Sequence, residues 1–326
     1  MNNIVGIDIG YSNLKVAYGK PSAGACATLI RPAGAAPADR FGDLADGSAS
    51  VDYLHVLVDE QPFIAGVSSD KAAMWSRSLH ADYPASQSYR ALFHAGLLLS
   101  EFDTVNTLVT GLPVSQYLDE DKRIALAKQM QGKHRVTPKR TVTVETVKVV
   151  PQPVGGFLDF ADQTGDDFDD MHVLVVDPGF FSVDWVVIAD NILDKTSSST
   201  SLEASSVVLA EAAKLIGIDY GVKIGEEHLE GALRAAKPTV TVLGKRVEIK
   251  PYIEAAAAKV APVVVESIQQ SLRKRNKPID KVLMVGGGAD FFAAAVKAAF
   301  HNIDVVSAKH SELANARGFW HMGASL

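Results

Sequence analysis

The sequence has a single cysteine, Cys26, in 326 residues. That excludes an intrachain disulfide framework and a cysteine-based zinc site. Its neighbours Ala25 and Ala27 offer nothing that would activate a thiol, so Cys26 reads as buried or incidental. No apolar run is long enough to cross a bilayer. The opening residues Met1 to Gly10 lack the basic start and long apolar core of a signal peptide, so a cytoplasmic location without membrane contact is expected. Positive charge is also short: 32 Lys and Arg face 38 Asp and Glu, a formal net charge of −6. Such a chain has no general pull on nucleic acid, and no direct nucleic-acid contact is expected. Its densest basic run, Arg273, Lys274, Arg275 and Lys277, reads as the close of a helix, where cations suit the dipole. Two phosphate-binding fingerprints are missing as well. There is no G-x-x-x-x-G-K-[ST] anywhere, and no G-x-G-x-x-G at the first strand.

What is present is the composition of a globular protein, 47% apolar and 21% charged, with length for two mid-sized domains. Ile4 to Ile9 and Asn13 to Tyr18 predict a strand, a tight turn and a returning strand. Pro21 to Gly47 reads as loop, and the Ala-rich segment from Ala23 to Ala49 as a polymer contact or, preferably, an idle loop. Val51 to Val58 and Pro62 to Val67 predict a hairpin. Pro84 to Glu101 predicts a helix with Tyr89, Leu92, Phe93 and Leu97 on one face. Val105 to Thr110 is a buried strand. Asp119 is the expected N-cap of a helix to Gly132, with Ile124, Ala127 and Met130 inward. Thr141 to Val150 predicts a strand stopped by Pro151-Gln152-Pro153, and Asp159 to Asp170 a loop or fraying helix end.

Then the opening pattern returns. Val173 to Val176 leads into Asp177-Pro178-Gly179, and Val183 to Ile188 runs back. A helix is expected over Leu202 to Ile216, stopped at Gly217. Another starts at Pro251 and should kink or break at Pro262. Val282 to Val285 is a strand ending at Gly286-Gly287-Gly288. A helix over Asp290 to Phe300, a strand over Ile303 to Val306 and a last helix from Ser311 complete the chain. Alternating strands and helices predict an α/β fold with mainly parallel sheets. The repeated strand–Asp-x-Gly–strand unit suggests two similar domains.

The two turns suggest a shared chemistry. Glycine at such a turn allows positive φ and clears the way for a ligand, and successive backbone N–H groups can converge on phosphate. Ser12, Asn13 and Ser182 would add donors. Lys15 is a mobile charge suited to a terminal phosphate. Asp8 and Asp177, each ending a strand, would hold magnesium, partly through water. The bland alternative is two ordinary turns, with Asp and Gly chosen for local geometry; the repetition favours the functional reading. Gly286, Gly287 and Gly288 would let backbone approach a flat ligand, or simply make a sharp turn.

In this order the motifs resemble those of the actin, sugar-kinase and heat-shock-chaperone ATPase superfamily. Within it the chain most resembles the bacterial and archaeal actin-like proteins of the ParM/StbA plasmid-segregation type. Ile7 to Lys15 is similar to the family's first phosphate loop, Val176 to Asp184 to its second, and Val285 to Ala289 to its adenosine loop. Gly111 to Val114 and Val149 to Gln152 are similar to its connectors, and Leu313 to Gly318 to its closing helix. The Asp-Pro-Gly-Phe-Phe stretch resembles a branch from plasmid-borne PRTRC-type gene systems.

The resemblance implies an actin-like fold, two related domains of mixed sheets flanked by helices around a nucleotide cleft. The domains would be 1–155, with a small insertion near 21–87, and 156–303, with a smaller subdomain near 217–275. Residues 304–326 would return to the first. It implies a filament-forming ATPase using ATP/ADP and Mg2+, in plasmid segregation or positioning. The expected partners are further copies of itself, head to tail, and a DNA-binding adaptor. A non-polymerising switch and a small-molecule kinase are the alternatives. By resemblance Gln152 would orient the attacking water. Gly10, Tyr11, Ser12, Asn13, Lys15, Gly179, Phe180, Phe181, Ser182, Glu226 and Gly286 to Gly288 would contact nucleotide. Asp8 and Asp177 would serve catalysis and hold the metal. Asn315 and Arg317 read better as helix capping and pairing than as a base pocket. Phe180 departs from the family's usual small residue, which suggests a loop that holds phosphate differently.

Overall fold

A computed structural model describes residues 2–45, 53–68, 82–273 and 275–326. The chain divides into two compact units, Met1–Asp167 with Leu313–Leu326, and Phe168–Glu312. The start of the expected strand from Val51, the end of the Ala-rich stretch at Ala49, and Lys274 lie outside the described residues.

The first unit begins with β1 (Ile4–Ile9), β2 (Asn13–Gly19), β3 (Ala27–Pro32), β4 (Gly34–Pro37), β5 (Leu54–Val58) and β6 (Gln61–Val67). Then come α1 (Gln87–Leu99), β7 (Thr104–Leu112), α2 (Val114–Leu118), α3 (Glu120–Met130), β8 (Gly132–Thr137), β9 (Arg140–Pro151) and α4 (Gln152–Thr164). The second unit holds β10 (His172–Pro178), β11 (Val183–Ala189), β12 (Ile192–Ser201), α5 (Ser205–Tyr220) and α6 (Glu226–Arg234). It continues with β13 (Thr239–Val242), β14 (Lys245–Glu248), α7 (Lys250–Leu272), β15 (Lys281–Met284), α8 (Ala289–Ala299) and β16 (Asp304–Ser307). The chain then returns to the first unit as α9 (Ala314–Ala324).

The main sheets repeat one plan. In the first unit the order is β3-β2-β1-β7-β9-β8; in the second it is β12-β11-β10-β15-β16. Each has a central strand antiparallel to the next in sequence and parallel to one arriving by a helical crossover, β1 with β7 and β10 with β15. Both central strands are buried along their whole length, which is why they read as continuous apolar runs rather than alternating ones. Mixed sheets flanked by helices are thus present twice. Two small sheets, β4-β6-β5 and β13-β14, sit on top of this plan.

α9 closes the first unit by lying on α4, β1 and β7. The close approach depends on glycine: a methyl on Gly318 would overlap the Gly155 carbonyl, and one on Gly6 would overlap the α9 backbone. At that crossing the Arg317 guanidinium donates two hydrogen bonds of 2.6 Å to the almost fully buried Asp159. Asn315 accepts from the Gly156 N–H at 3.0 Å. Arg317 therefore pairs as the sequence reading preferred, while Asn315 bridges to α4 and does not cap its own helix.

Several boundaries differ from expectation for identifiable reasons. Pro151-Gln152-Pro153 starts a helix instead of merely stopping a strand, because a first helical turn needs no N–H from proline. The acidic stretch is therefore partly helical, and Asp159 is buried on it. α5 runs past Gly217 to Tyr220 and ends at Gly221, φ 66°; Gly217 instead leaves room for the Val222 carbonyl. α7 runs through Pro262 as one helix. On α3, Leu126 and Met130 face inward while Ile124 is 54% exposed. The stretch from Pro21 contains β3 and β4. Arg275, read as a helix-closing cation, turns inward, pairing with Asp194 and donating to His172 Nδ1 at 2.8 Å.

Two measurements follow from this packing. Arg317→Met leaves the Asp159 carboxylate buried without its cation, and should cost about 3–5 kcal/mol in urea unfolding of the full chain. His94, on α1, has its Nδ1 at 2.5 Å from the Leu57 carbonyl, its ring 5.4 Å from His134, and Arg90 and Asp59 nearby. Burial lowers its pKa from 6.5 to about 4. The unfolded chain therefore gains this proton first as pH falls. The first unit should lose stability between about pH 6.5 and pH 4, with no further loss from this group below that window. His94→Gln should flatten that slope in unfolding curves measured across the range; an unchanged slope would contradict the assignment.

Candidate functional site

In the first unit, antiparallel pairing puts Asp8 directly opposite Lys15. The result is an ion pair of 2.8 Å between Lys15 Nζ and Asp8 Oδ2. The other oxygen, Oδ1, accepts from Gln152 Nε2 at 2.9 Å. Asp8 is 1% exposed, so its charge is compensated by a cation and an amide instead of by water. Gln152 reaches it because Pro151 ends β9 and α4 starts at once. Gly111 makes room, since a Cβ there would stand 2.7 Å from Gln152 Cγ. Three of the expected site residues are thus gathered at one point: Asp8, Lys15 and Gln152.

The turn between β1 and β2 is a two-residue loop, Tyr11-Ser12, closed by a 3.0 Å bond from Gly10 N–H to the Asn13 carbonyl. Tyr11 is not a free donor arm. Its ring lies 4.6 Å from that of Tyr83, which meets Tyr89 edge-on at 5.3 Å. Tyr89 is fully buried, and burial raises its phenol pKa well above the ordinary range. This aromatic stack anchors the loop from below, and the sequence reading did not find it.

The second unit repeats the turn. Gly179 N–H donates to the Ser182 carbonyl at 2.8 Å, and Phe180-Phe181 form the two-residue loop. Neither loop uses positive φ: Gly10, Tyr11, Ser12, Gly179, Phe180 and Phe181 all lie outside that region. Two expectations are corrected here. The glycines serve space, with a Cβ on Gly179 only 3.0 Å from the Ser182 carbonyl. Phe180 sits in an ordinary conformation and imposes no left-handed strain.

Asp177, 6% exposed, ends β10 beneath Gly286, where any side chain would overlap its Oδ1. Gly286 adopts φ 80°. Gly288 N–H donates to the Pro178 carbonyl at 2.8 Å, and a Cβ on Gly288 would overlap the Ser205 hydroxyl. The triple glycine therefore packs backbone on backbone against the second loop. Only Gly287 is exposed, with nothing nearer to a would-be Cβ than Glu312 at 3.9 Å. From the other side, the first N–H groups of α5 donate to the loop: Ser205 to Gly179 O at 3.2 Å and Ser206 to Phe180 O at 2.9 Å. The Ser182 hydroxyl is engaged below the loop, donating to Asp184 at 2.7 Å, while Thr200 donates to the other Asp184 oxygen at 2.6 Å. Asp184 is 2% exposed. Its supporting role was missed, although it stands one strand position across from Asp177. Glu226 opens α6, where its charge suits the helix N-terminus, and it makes no hydrogen bond to the loop residues described.

Among the described residues no cluster of three or more His, Cys, Asp or Glu side chains could hold a metal by itself. No described helix is long and apolar enough to cross a membrane.

Residues 6–155 match the family of actin-like proteins by its N-terminal domain. Residues 175–298 match the C-terminal domain of the archaeal MreB-like actin homologues. No curated protein matches the chain. Among solved structures it resembles the archaeal actin homologue Ta0583, with a TM-score of 0.79 at 19% identity, covering 99% of this chain and 100% of that one. The same homologue is known in complex with ADP. A 15-stranded ParM filament from Clostridium botulinum gives a TM-score of 0.74 at 17% identity, covering 100% of both chains. The actin-like protein Alp7A gives 0.71 at 14%, covering 100% of this chain and 97% of that one. With matched strand order in both units and actin-like models that together span most of its length, the chain has an actin-like fold and belongs to the actin-like proteins.

Proposed function

We infer that the protein is a nucleotide-dependent filament former that binds and hydrolyses ATP and acts in plasmid segregation or positioning. The observation that carries this reading is the duplicated hairpin: in each unit a glycine N–H closes a two-residue loop, next to a buried aspartate at the end of the central strand. Such loops present backbone N–H groups to phosphate. The first also has the Lys15 ammonium 3.7 Å from where a Gly10 Cβ would stand, so a positive charge lies beside the loop. The residues thus fit a polyphosphate. Asp8 and Asp177 are few and separate, which suits magnesium held largely by water and phosphate. A magnesium ion would shield the phosphate oxygens during transfer.

In this reading Lys15 exchanges Asp8 for the terminal phosphate. Gln152, released with it, orients the attacking water by donating and accepting hydrogen bonds. The glycine turn at Gly286 to Gly288 receives the adenosine at Gly287, and Glu226 reaches the ribose. The conformation favoured by bound ATP promotes head-to-tail contacts of an open, helical kind. Attachment to DNA goes through an adaptor protein, since the chain itself is acidic. Support for assembly comes from the likeness to the ParM filament; support for nucleotide comes from the loops and from the ADP-bound homologue.

Sedimentation with magnesium and ATP, ADP, a non-hydrolysable analogue or no nucleotide tests the assembly. Filaments seen by electron microscopy only with nucleotide are expected; binding without any pellet would favour a monomeric switch. Asp177→Ala should abolish magnesium-dependent phosphate release. Gln152→Ala should lower kcat roughly 10²-fold while leaving nucleotide affinity within a few-fold. Equal losses in binding and turnover would contradict a water-orienting role.

A further inference from the structure

The hairpin β13–β14 ends in a two-residue turn, Leu243-Gly244, between the paired Val242 and Lys245. Both turn residues have positive φ, 48° for Leu243 and 76° for Gly244. That geometry favours Asn-Gly or Gly-Gly; a leucine there is strained by about 1–2 kcal/mol. Leu243 is also 71% exposed. A strained apolar side chain held out into water gains nothing from its own fold, so its purpose is sought in a partner. Just behind the tip stand Lys245 and Arg246, both exposed.

The first unit carries a matching feature. A cavity of about 100 Å³, lined by Pro84, Ala85, Leu112 and Leu126, opens along α3. Its size suits one aliphatic side chain. The Gln129 amide nitrogen, also in the lining, is buried without a hydrogen-bond partner. An occupant that brings a carbonyl beside its apolar group would satisfy that donor, and a hairpin tip offers turn carbonyls next to its side chain. Asp82 and Lys122 both line the cavity, 3.8 Å apart, and Asp119, Glu120 and Asp121 stand beside it at the start of α3 with Arg123, so acids outnumber bases on this rim. That sign complements Lys245 and Arg246.

The geometry points to a knob-and-hole contact between copies of this chain: the Leu243 tip of one copy seats in the α3 cavity of the next. This rests on the filament reading and names a contact for it. A patch meeting a different patch is a heterologous contact, the kind that propagates instead of closing as a symmetric dimer does. It also explains how nucleotide could control assembly. One wall of the cavity is the short turn Tyr83–Ala85, whose Tyr83 ring lies on Tyr11 of the first loop. A shift of that loop moves the wall.

The test mixes two chains, one carrying Leu243→Cys and the other Ala125→Cys, both with Cys26→Ser, under assembly conditions followed by oxidation. Disulfide-linked pairs of the two different chains in the pellet are expected, and neither chain alone should form them. Leu243→Gly, which relaxes the turn and so preserves the fold, should raise the critical concentration roughly tenfold or more. Normal assembly of that variant, or pelleted mixtures without cross-links, would overturn the contact while leaving the filament reading intact. Wild-type chain that never pellets with any nucleotide would overturn both.

Discussion

Asp8 ends a central strand with almost no access to water, and an ionised group there needs a cation and hydrogen bonds. Lys15 and Gln152 supply them. Much of the first unit follows from that need. The β1–β2 register brings the lysine across. The abrupt passage from β9 into α4 brings the glutamine. Gly111 clears the space between them, and the glycines at the α4–α9 crossing let the closing helix approach the same strand. Under the proposed function a polyphosphate would compete with Asp8 for this one lysine, so that binding and rearrangement of the carboxylate would be a single exchange.

The second unit solves the same problem differently. Its aspartate lies beneath Gly286, and its loop is clamped between the triple glycine and the first turn of α5. Asp184, Ser182 and Thr200 form a buried hydrogen-bonded set beneath the loop. The first loop rests on an aromatic stack beside an ion-paired lysine; the second is held by backbone hydrogen bonds from α5 and by the packed triple glycine.

The repeat was legible because it lies in local sequence: apolar run, aspartate, glycine, polar residue, apolar run. Asp8, Lys15 and Gln152 were nominated and meet. Other features needed three dimensions. The Tyr11–Tyr83–Tyr89 stack joins Tyr11 to a pair far along the chain, which no spacing rule connects. The loop glycines were credited with unusual φ when they provide room, because sequence gives residue type but not the neighbour a Cβ would strike. Pro151-Gln152-Pro153 looked like a stop because proline ends strands and begins helices equally well. Short strands such as β13 and β14 carry too few residues for a periodic signal.

The central claim is that the chain takes one magnesium-bound nucleotide. Equilibrium dialysis of labelled ATP against the purified chain, with magnesium and with excess chelator, measures it directly. The account predicts one nucleotide per chain, bound more tightly with magnesium and displaced by ADP. Failure to bind ATP or ADP at millimolar concentration in either condition would contradict it.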